Sequence, residues 1–246
     1  MLARATRVRT PELMDQPGLD ERAPRHALDA LGRGNMVSRT AASIWPPIRS
    51  AAAAITSGPV RILDLACGGG HVAVDLARRC ARAGISAEVQ GYELSPLAVD
   101  YARAQAARAG VTGVRFEPLD VVHAPLPSGF DVIHCSLFLH HLLDDEAENM
   151  LRRMKAAGQL VVVSDLRRTS LGLLYTWVGC RLLSRSRVFH VDGVLSVKAA
   201  FTTGEARALA HRAGLHGATI TNCWPQRFLL IHGVGSDFPS AGVGSN

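Results

Sequence analysis

The rhythm of apolar positions changes near residue 60. From there on, short apolar runs alternate with segments of helical period. Val60 to Ala66 (VRILDLA) is a run with β-branched residues, followed by Cys67-Gly68-Gly69-Gly70. His71 to Ala83 repeats at helical spacing through Val74, Leu76 and Ala77, and Gly84 ends it. Ala87 to Tyr92 reads as a second strand. Ser95-Pro96 then supplies an N-cap and a first-position proline for a helix to about Ala109. Val114 to Glu117 and Asp131 to Leu137 read as the third and fourth strands, Asp144 to Lys155 as a helix, and Gln159 to Ser164 as a fifth strand. After a long connection, Thr203 to Ala213 is helical, and His216 to Asn222 and Phe228 to His232 form the last two strands. This alternation predicts an α/β fold with a doubly wound, mostly parallel seven-stranded sheet. Ligands bind such sheets at the carboxyl ends of the strands, at the topological switch point.

The flanks differ. Residues 1–58 are alanine-rich and read as an N-terminal helical cap, with Pro11, Pro17, Pro24, Pro46 and Pro47 as helix boundaries. The sheet domain spans 59–232, and 233–246, rich in Gly and Ser, reads as a flexible tail. Within the domain, about 167–200 interrupts the alternation. Leu171, Leu174, Tyr175, Val178 and Leu182 recur at helical spacing, surrounded by Arg167, Arg168, Arg181, Arg185 and Arg187. Two readings fit: a buried helix with a charged end, or an amphipathic lid over an apolar ligand that also contacts an anionic membrane surface. In Val188 to Val197, His190 and Asp192 are candidates for acceptor contact or proton removal; alternatively Asp192-Gly193 marks a hairpin turn.

Composition narrows the classes. The 246 residues are 48% hydrophobic and 20% charged, enough for a sizeable core and against wholesale disorder. The net charge is +6, and only Lys155 and Lys198 among the 27 basic residues are lysines. No basic run and no aromatic-interleaved basic stripe is present, so nucleic-acid binding is not expected. The apolar stretch Leu171 to Cys180 stops at Arg181, short of the roughly 20 residues of a membrane span. MLARATRVRT has no apolar region behind it to make a secretory signal. The five cysteines support neither a disulfide framework nor a metal knuckle, which suits a reducing cytoplasm.

The chemistry concentrates at Asp64-Leu65-Ala66-Cys67-Gly68-Gly69-Gly70. Glycines permit positive φ and close approach of backbone to ligand, and the following helix points its first amides there. Gly68, Gly70 and Ala73 satisfy a dinucleotide pattern, and Glu93 follows Ala73 by 20 residues, as a ribose-binding acid does. That reading leaves Asp64, a charge inside an apolar strand, unexplained. It also lacks a Tyr-x-x-x-Lys constellation, since none of Tyr92, Tyr101 and Tyr175 has a lysine four residues on.

The chain resembles the class I S-adenosylmethionine-dependent methyltransferases. DLACGGG is similar to their first motif, with Ala66 in place of its first glycine. Glu93 in VQGYELSP, Asp120 in FEPLD, the strand and His-rich turn FDVIHCSLFLHHL, and LRRMKAAGQLVVVSD follow in the family's order, without the usual proline before Gly158. The N-terminal stretch Pro11 to Asn35 and the segment Phe201 to Ile231 are also similar to small bacterial methyltransferases encoded near type III polyketide synthases.

The resemblance implies S-adenosylmethionine as cofactor. Gly68 and Gly70 would lie along it, Asp64 would support its amino-acid end, Glu93 would accept both ribose hydroxyls, and Asp120 would take the adenine amino group. Ala66, Leu94, Val121 and Ser136 complete the implied cofactor-binding set. For Asp120 a solvated loop acid is the competing reading. His140, His141 and His190 are the candidates to remove a proton from an oxygen acceptor. His140/Asp144 and His141/Asp145 have metal-ligand spacing but lie on different helix faces, so no metal is assigned. The expected reaction is O-methylation of a small hydrophobic phenolic or polyketide-derived acceptor. An NAD(P)-dependent oxidoreductase and a cofactor-binding module without catalysis are the alternatives.

Overall fold

A computed structural model describes residues 6–10, 32, 39–184 and 186–233. In chain order these contain α1 (Thr40–Ala53), β1 (Val60–Leu65), α2 (His71–Arg82), β2 (Ala87–Glu93), α3 (Pro96–Arg108), β3 (Val114–Pro118) and β4 (Phe130–Ser136). There follow a 3-10 turn (Leu139–His141), α4 (Asp144–Ala157), β5 (Gly158–Leu166), α5 (Ser170–Leu183), α6 (Arg187–Ala199), α7 (Thr203–Arg212), β6 (Thr219–Cys223) and β7 (Arg227–Gly233). The strands form one seven-stranded sheet in the order β3-β2-β1-β4-β5-β7-β6. β7 runs antiparallel to both its neighbours, and the other pairings are parallel.

Successive strand residues point to opposite faces, so a sheet covered on both sides reads as continuous apolar runs. Leu63, Ile133, Val161, Val163, Phe228 and Leu230 pack under α4 and α7. Their neighbours Ile62, Val132, Leu160, Val162, Leu229 and Ile231 pack under α1, α2 and α3. The strand order reverses between β1 and β4, which places the switch point beside the glycine loop.

Three expectations change. Pro46 and Pro47 lie inside α1 instead of bounding a helix. Each proline removes one helical hydrogen bond, but Ile44 and Ile48 are fully buried from the same helix, so packing outweighs the local break. Residues 6–10 have no regular secondary structure instead of being helical. Asp192-Gly193 is no hairpin: it lies in α6, capped by the Ser186 hydroxyl accepting from the Phe189 amide. A Cβ on Gly193 would come within 2.6 Å of Cys180 Sγ and 2.9 Å of Thr176 Cγ2, so the glycine lets α5 and α6 approach. Gly233 belongs to β7; the rest of the expected tail, 234–246, and most of the expected cap, including 11–31, lie outside the described residues.

Candidate active site

The carboxyl ends of β1, β2, β4 and β5 meet along one edge of the sheet. After β1 the chain turns through Ala66 (φ 52°), Gly68 (φ 52°) and Gly70 (φ 72°), all left-handed. A Cβ on Gly70 would strike Ala102 and the Phe116 ring at 2.7 Å, so α3 and β3 lock that side of the loop. A Cβ on Gly68 would meet nothing within 4 Å. The loop is thus packed behind and open in front.

Glu93 closes the loop from the end of β2. Its two carboxylate oxygens accept from the Gly68 amide at 2.9 Å and the Ser95 amide at 3.1 Å. Each oxygen keeps acceptor capacity for a further donor. Asp64 is 2% exposed on β1. Its Oδ1 is 3.4 Å from Nδ1 of His134, its register partner on β4. Burial, and then the charge of Glu93, push the Asp64 carboxyl well above the usual carboxylate range. Burial pulls His134 down to about 3. Burial thus disfavours the charged form of both groups. Among the described residues Asp64 Oδ2 and the Ser136 hydroxyl have no hydrogen-bond partner.

A second cluster lies beyond β4. His140 is 3% exposed on the 3-10 turn. Its ring Nδ1 donates to Asp165 Oδ1 at 2.7 Å, and its amide donates to Asp165 Oδ2 at 3.0 Å. The Leu166 amide adds a third bond to Asp165 at 2.6 Å. Burial raises the Asp165 carboxyl, but the His140 charge and these hydrogen bonds outweigh it and leave it below its usual value. The His141 ring lies tilted beside His140, 4.3 Å between ring centroids. Burial and His140 hold it near 3. Sequence reasoning assigned no role to Asp165; an acid closing the apolar run QLVVVS was the available signal, of the same kind as Asp64.

The other expected residues are more dispersed. Asp120 accepts from the Val122 and His123 amides at 3.0 and 3.2 Å and pairs with the His123 ring at 2.9 Å. It caps its own loop. Its carboxyl lies below the usual range, chiefly through the His123 side chain. Val121 is buried in the core under α4, and Leu94 is exposed at the end of β2. His190 lies on α6 and donates from Nε2 to the Ser184 carbonyl at 2.7 Å. That bond engages it within the insertion. Asp144, one half of an expected i,i+4 pair, binds Arg7. Among the described residues no three His, Cys, Asp or Glu side chains converge as a metal site.

On α5 the apolar stripe faces outward. Leu174, Trp177 and Val178 are 55%, 51% and 40% exposed, and Leu182 is 81% exposed. Arg181 stacks on Trp177 at 4.1 Å, and the exposed Trp224 lies 6.0 Å from Tyr175. Cys180 faces inward, toward α6. No described helix is long and apolar enough to cross a membrane.

Comparison with known proteins accounts for this arrangement. Residues 62–158 match the family described as a methyltransferase domain. The ubiquinone biosynthesis O-methyltransferase of Bordetella parapertussis is 30% identical over 198 residues, covering 78% of this chain and 71% of that protein. The mitochondrial ubiquinone biosynthesis O-methyltransferase of Schizosaccharomyces pombe is 32% identical over 120 residues, covering 47% of this chain but only 41% of its own length. An O-methyltransferase family 2 protein from Planctomyces limnophilus, solved in complex with apigenin, superposes with a TM-score of 0.63 at 16% identity, over 89% of this chain and 63% of that one. This chain belongs to the class I S-adenosylmethionine-dependent methyltransferases. The residues fit that cofactor: an open glycine loop, a carboxylate with spare acceptor capacity for a diol, and a buried carboxyl with one oxygen left for a cation.

Proposed function

We propose that this chain transfers a methyl group from S-adenosylmethionine to the hydroxyl of a small hydrophobic phenolic or polyketide-derived acceptor. The observation that carries the reading is Glu93 clamping the open loop at Gly68 beside Asp64, whose Oδ2 makes no hydrogen bond among the described residues. When bound, S-adenosylmethionine supplies a sulfonium-activated methyl group. Glu93 receives the vicinal ribose hydroxyls, which a carboxylate accepts with two oxygens in one plane. Asp64 ionises against the ammonium group, since an opposite charge favours the charged form of a buried acid. Ala66, Gly68 and Gly70 would bring backbone alongside, Ser136 would offer its hydroxyl, and Leu94 and Asp120 would border the adenine end, with Val121 buried behind them in the core.

His140 is the base. Asp165 accepts from Nδ1, which fixes the tautomer with the proton on Nδ1 and the basic lone pair on Nε2, the nitrogen that would take the acceptor's proton. His141, held near 3, is too weakly basic for that task. His190 orders the insertion. Most of the acceleration comes from alignment and exclusion of water.

Acceptor class is supported by the outward apolar face of α5 and Trp224, by relatives named as O-methyltransferases of ubiquinone biosynthesis, and by the apigenin complex. The same face, with Arg181 stacked on the exposed Trp177, suits contact with an anionic lipid surface, where tryptophan and arginine are favoured; Arg167 and Arg168 are instead engaged by Gln226 and Glu205. The test is thermal denaturation with S-adenosylhomocysteine and with NADPH, followed by methyl transfer to a series of alkylphenols. A ligand at a hundredfold excess over Kd stabilises by about 2.7 kcal/mol. A shift with NADPH and none with S-adenosylhomocysteine overturns the reading.

A further inference from the structure

The turn that carries His140 is a single 3-10 turn between β4 and α4. Internal bonds are few: the His141 amide donates to Phe138 at 3.0 Å and the Leu142 amide to Leu139 at 3.2 Å. One turn of this kind cannot satisfy its own later carbonyls. Those carbonyls are met from more than 130 residues away. Arg7 Nη2 donates to the carbonyls of His140 at 3.1 Å and Leu142 at 2.6 Å, and Arg9 Nε donates to that of His141 at 2.5 Å.

The same guanidinium has three further partners. Nη1 pairs with Asp144 at the start of α4 at 2.6 Å. Nε donates to Ala199, the last residue of α6, at 2.6 Å. The plane lies 3.9 Å over the Phe201 ring. The Val8 amide adds a bond to the Lys198 carbonyl at 3.2 Å. The Arg7 side chain is 12% exposed. A planar fork with five donors can span several carbonyls at once; a lysine ammonium, a single point with three donors, cannot.

His140 is therefore held from two sides. Asp165 fixes its ring and its amide, and Arg7 fixes its carbonyl and the peptide after next. We propose that Arg7 is a positioning residue for methyl transfer, acting through the backbone of the His140 turn and tying that turn to the end of α6. This rests on the assignment of His140 as base given above. It places part of the catalytic apparatus outside residues 62–158, the stretch that the family match covers.

The test is a double-mutant cycle on the full chain with an alkylphenol acceptor: Arg7→Ala, His140→Ala and the double variant. Arg7→Ala should lower kcat ten- to a hundredfold and leave the Kd of S-adenosylhomocysteine, read by calorimetry, within twofold. Amide exchange at 138–143 should accelerate. In the His140→Ala background the Arg7 substitution should cost less than twofold, because the group it positions is gone. Arg7→Lys, which keeps the Asp144 pair but cannot span the carbonyls, should recover only part of kcat. It also carries the test through the same cycle should Arg7→Ala fail to fold. Unchanged kcat in Arg7→Ala, or an equal loss in both backgrounds, overturns the positioning role while leaving the methyltransferase reading intact. Full activity in His140→Ala overturns the base assignment and this inference together.

Discussion

The glycine loop and the two-helix insertion share one edge of the sheet, yet they are built by opposite means. The loop is backbone. Its conformation is set within seven residues by left-handed torsions, and the residues behind it are buried. The insertion is side chain. Its apolar groups point outward on α5, and the turn beside it is held by Arg7 from the far end of the chain. The first arrangement suits a ligand that is always the same. The second suits a ligand whose shape varies among related enzymes, because exposed side chains can change without disturbing a core.

If that contrast is right, damage to the two regions should separate kinetically. The largest effect is expected at Asp165→Asn. The carboxylate accepts from three N–H groups, at the His140 ring, the His140 amide and the Leu166 amide. An asparagine has one acceptor oxygen, so its NH2 group must face at least one of these donors, the His140 amide or the pair at the His140 ring and Leu166. Loss of a well-oriented base lowers kcat on the order of a hundredfold or more. Calorimetry should find S-adenosylhomocysteine affinity unchanged; a parallel loss of affinity would mean that the two regions are one.

The converse variant is Glu93→Ala. It releases the Gly68 and Ser95 amides and, on the proposed assignment, removes the acceptors for two ribose hydroxyls. Hydrogen bonds to a charged group are worth about 1.5–3 kcal/mol each, so affinity should fall at least tenfold in a folded protein. Tight binding by a folded Glu93→Ala chain would reject the ribose assignment.

On the insertion side the effects are smaller and graded. Burying one methylene contributes about 0.8 kcal/mol, or about fourfold. KM should therefore fall along a homologous series of alkylphenols. Leu174→Ser with Val178→Ser should flatten that series and leave cofactor binding alone. Turnover indifferent to tail length would mean that the exposed stripe serves something other than the acceptor.

The same contrast explains what the sequence disclosed. The strands and the loop were legible because β-branched runs, a glycine cluster and an in-strand acid are local signals. Asp64 announced itself as a charge among apolar residues, and the structure supplies His134 as its neighbour. The register that pairs them is set by β1 lying beside β4, which no local pattern encodes. Arg7 was invisible for the same reason: its partners lie on a turn, on α4 and on α6, and only the closed fold brings them within reach. The Asp192-Gly193 signal misled because a glycine that suits a turn equally suits two helices in close contact.

The smallest expected effect tests the loop at its one departure from the family's pattern. Ala66 stands where the first glycine of that pattern falls, and its φ is 52°. A residue with a Cβ loses roughly 1–2 kcal/mol in the left-handed region. Ala66→Gly should remove that strain. The gain is reduced because glycine is freer in the unfolded chain, by about 0.5–1 kcal/mol. It is reduced again because Ala66 packs against the core under α4, so its methyl group contributes some burial. The balance is a stabilisation of about 0.5 kcal/mol, or roughly 1–2 °C in Tm for a chain of this size. S-adenosylhomocysteine affinity should hold or rise slightly, since the backbone path is unchanged and a side chain beside it is gone. A fall in Tm would show that the methyl contact outweighs the torsional strain, and that even in this region packing, not backbone torsion, decides the loop.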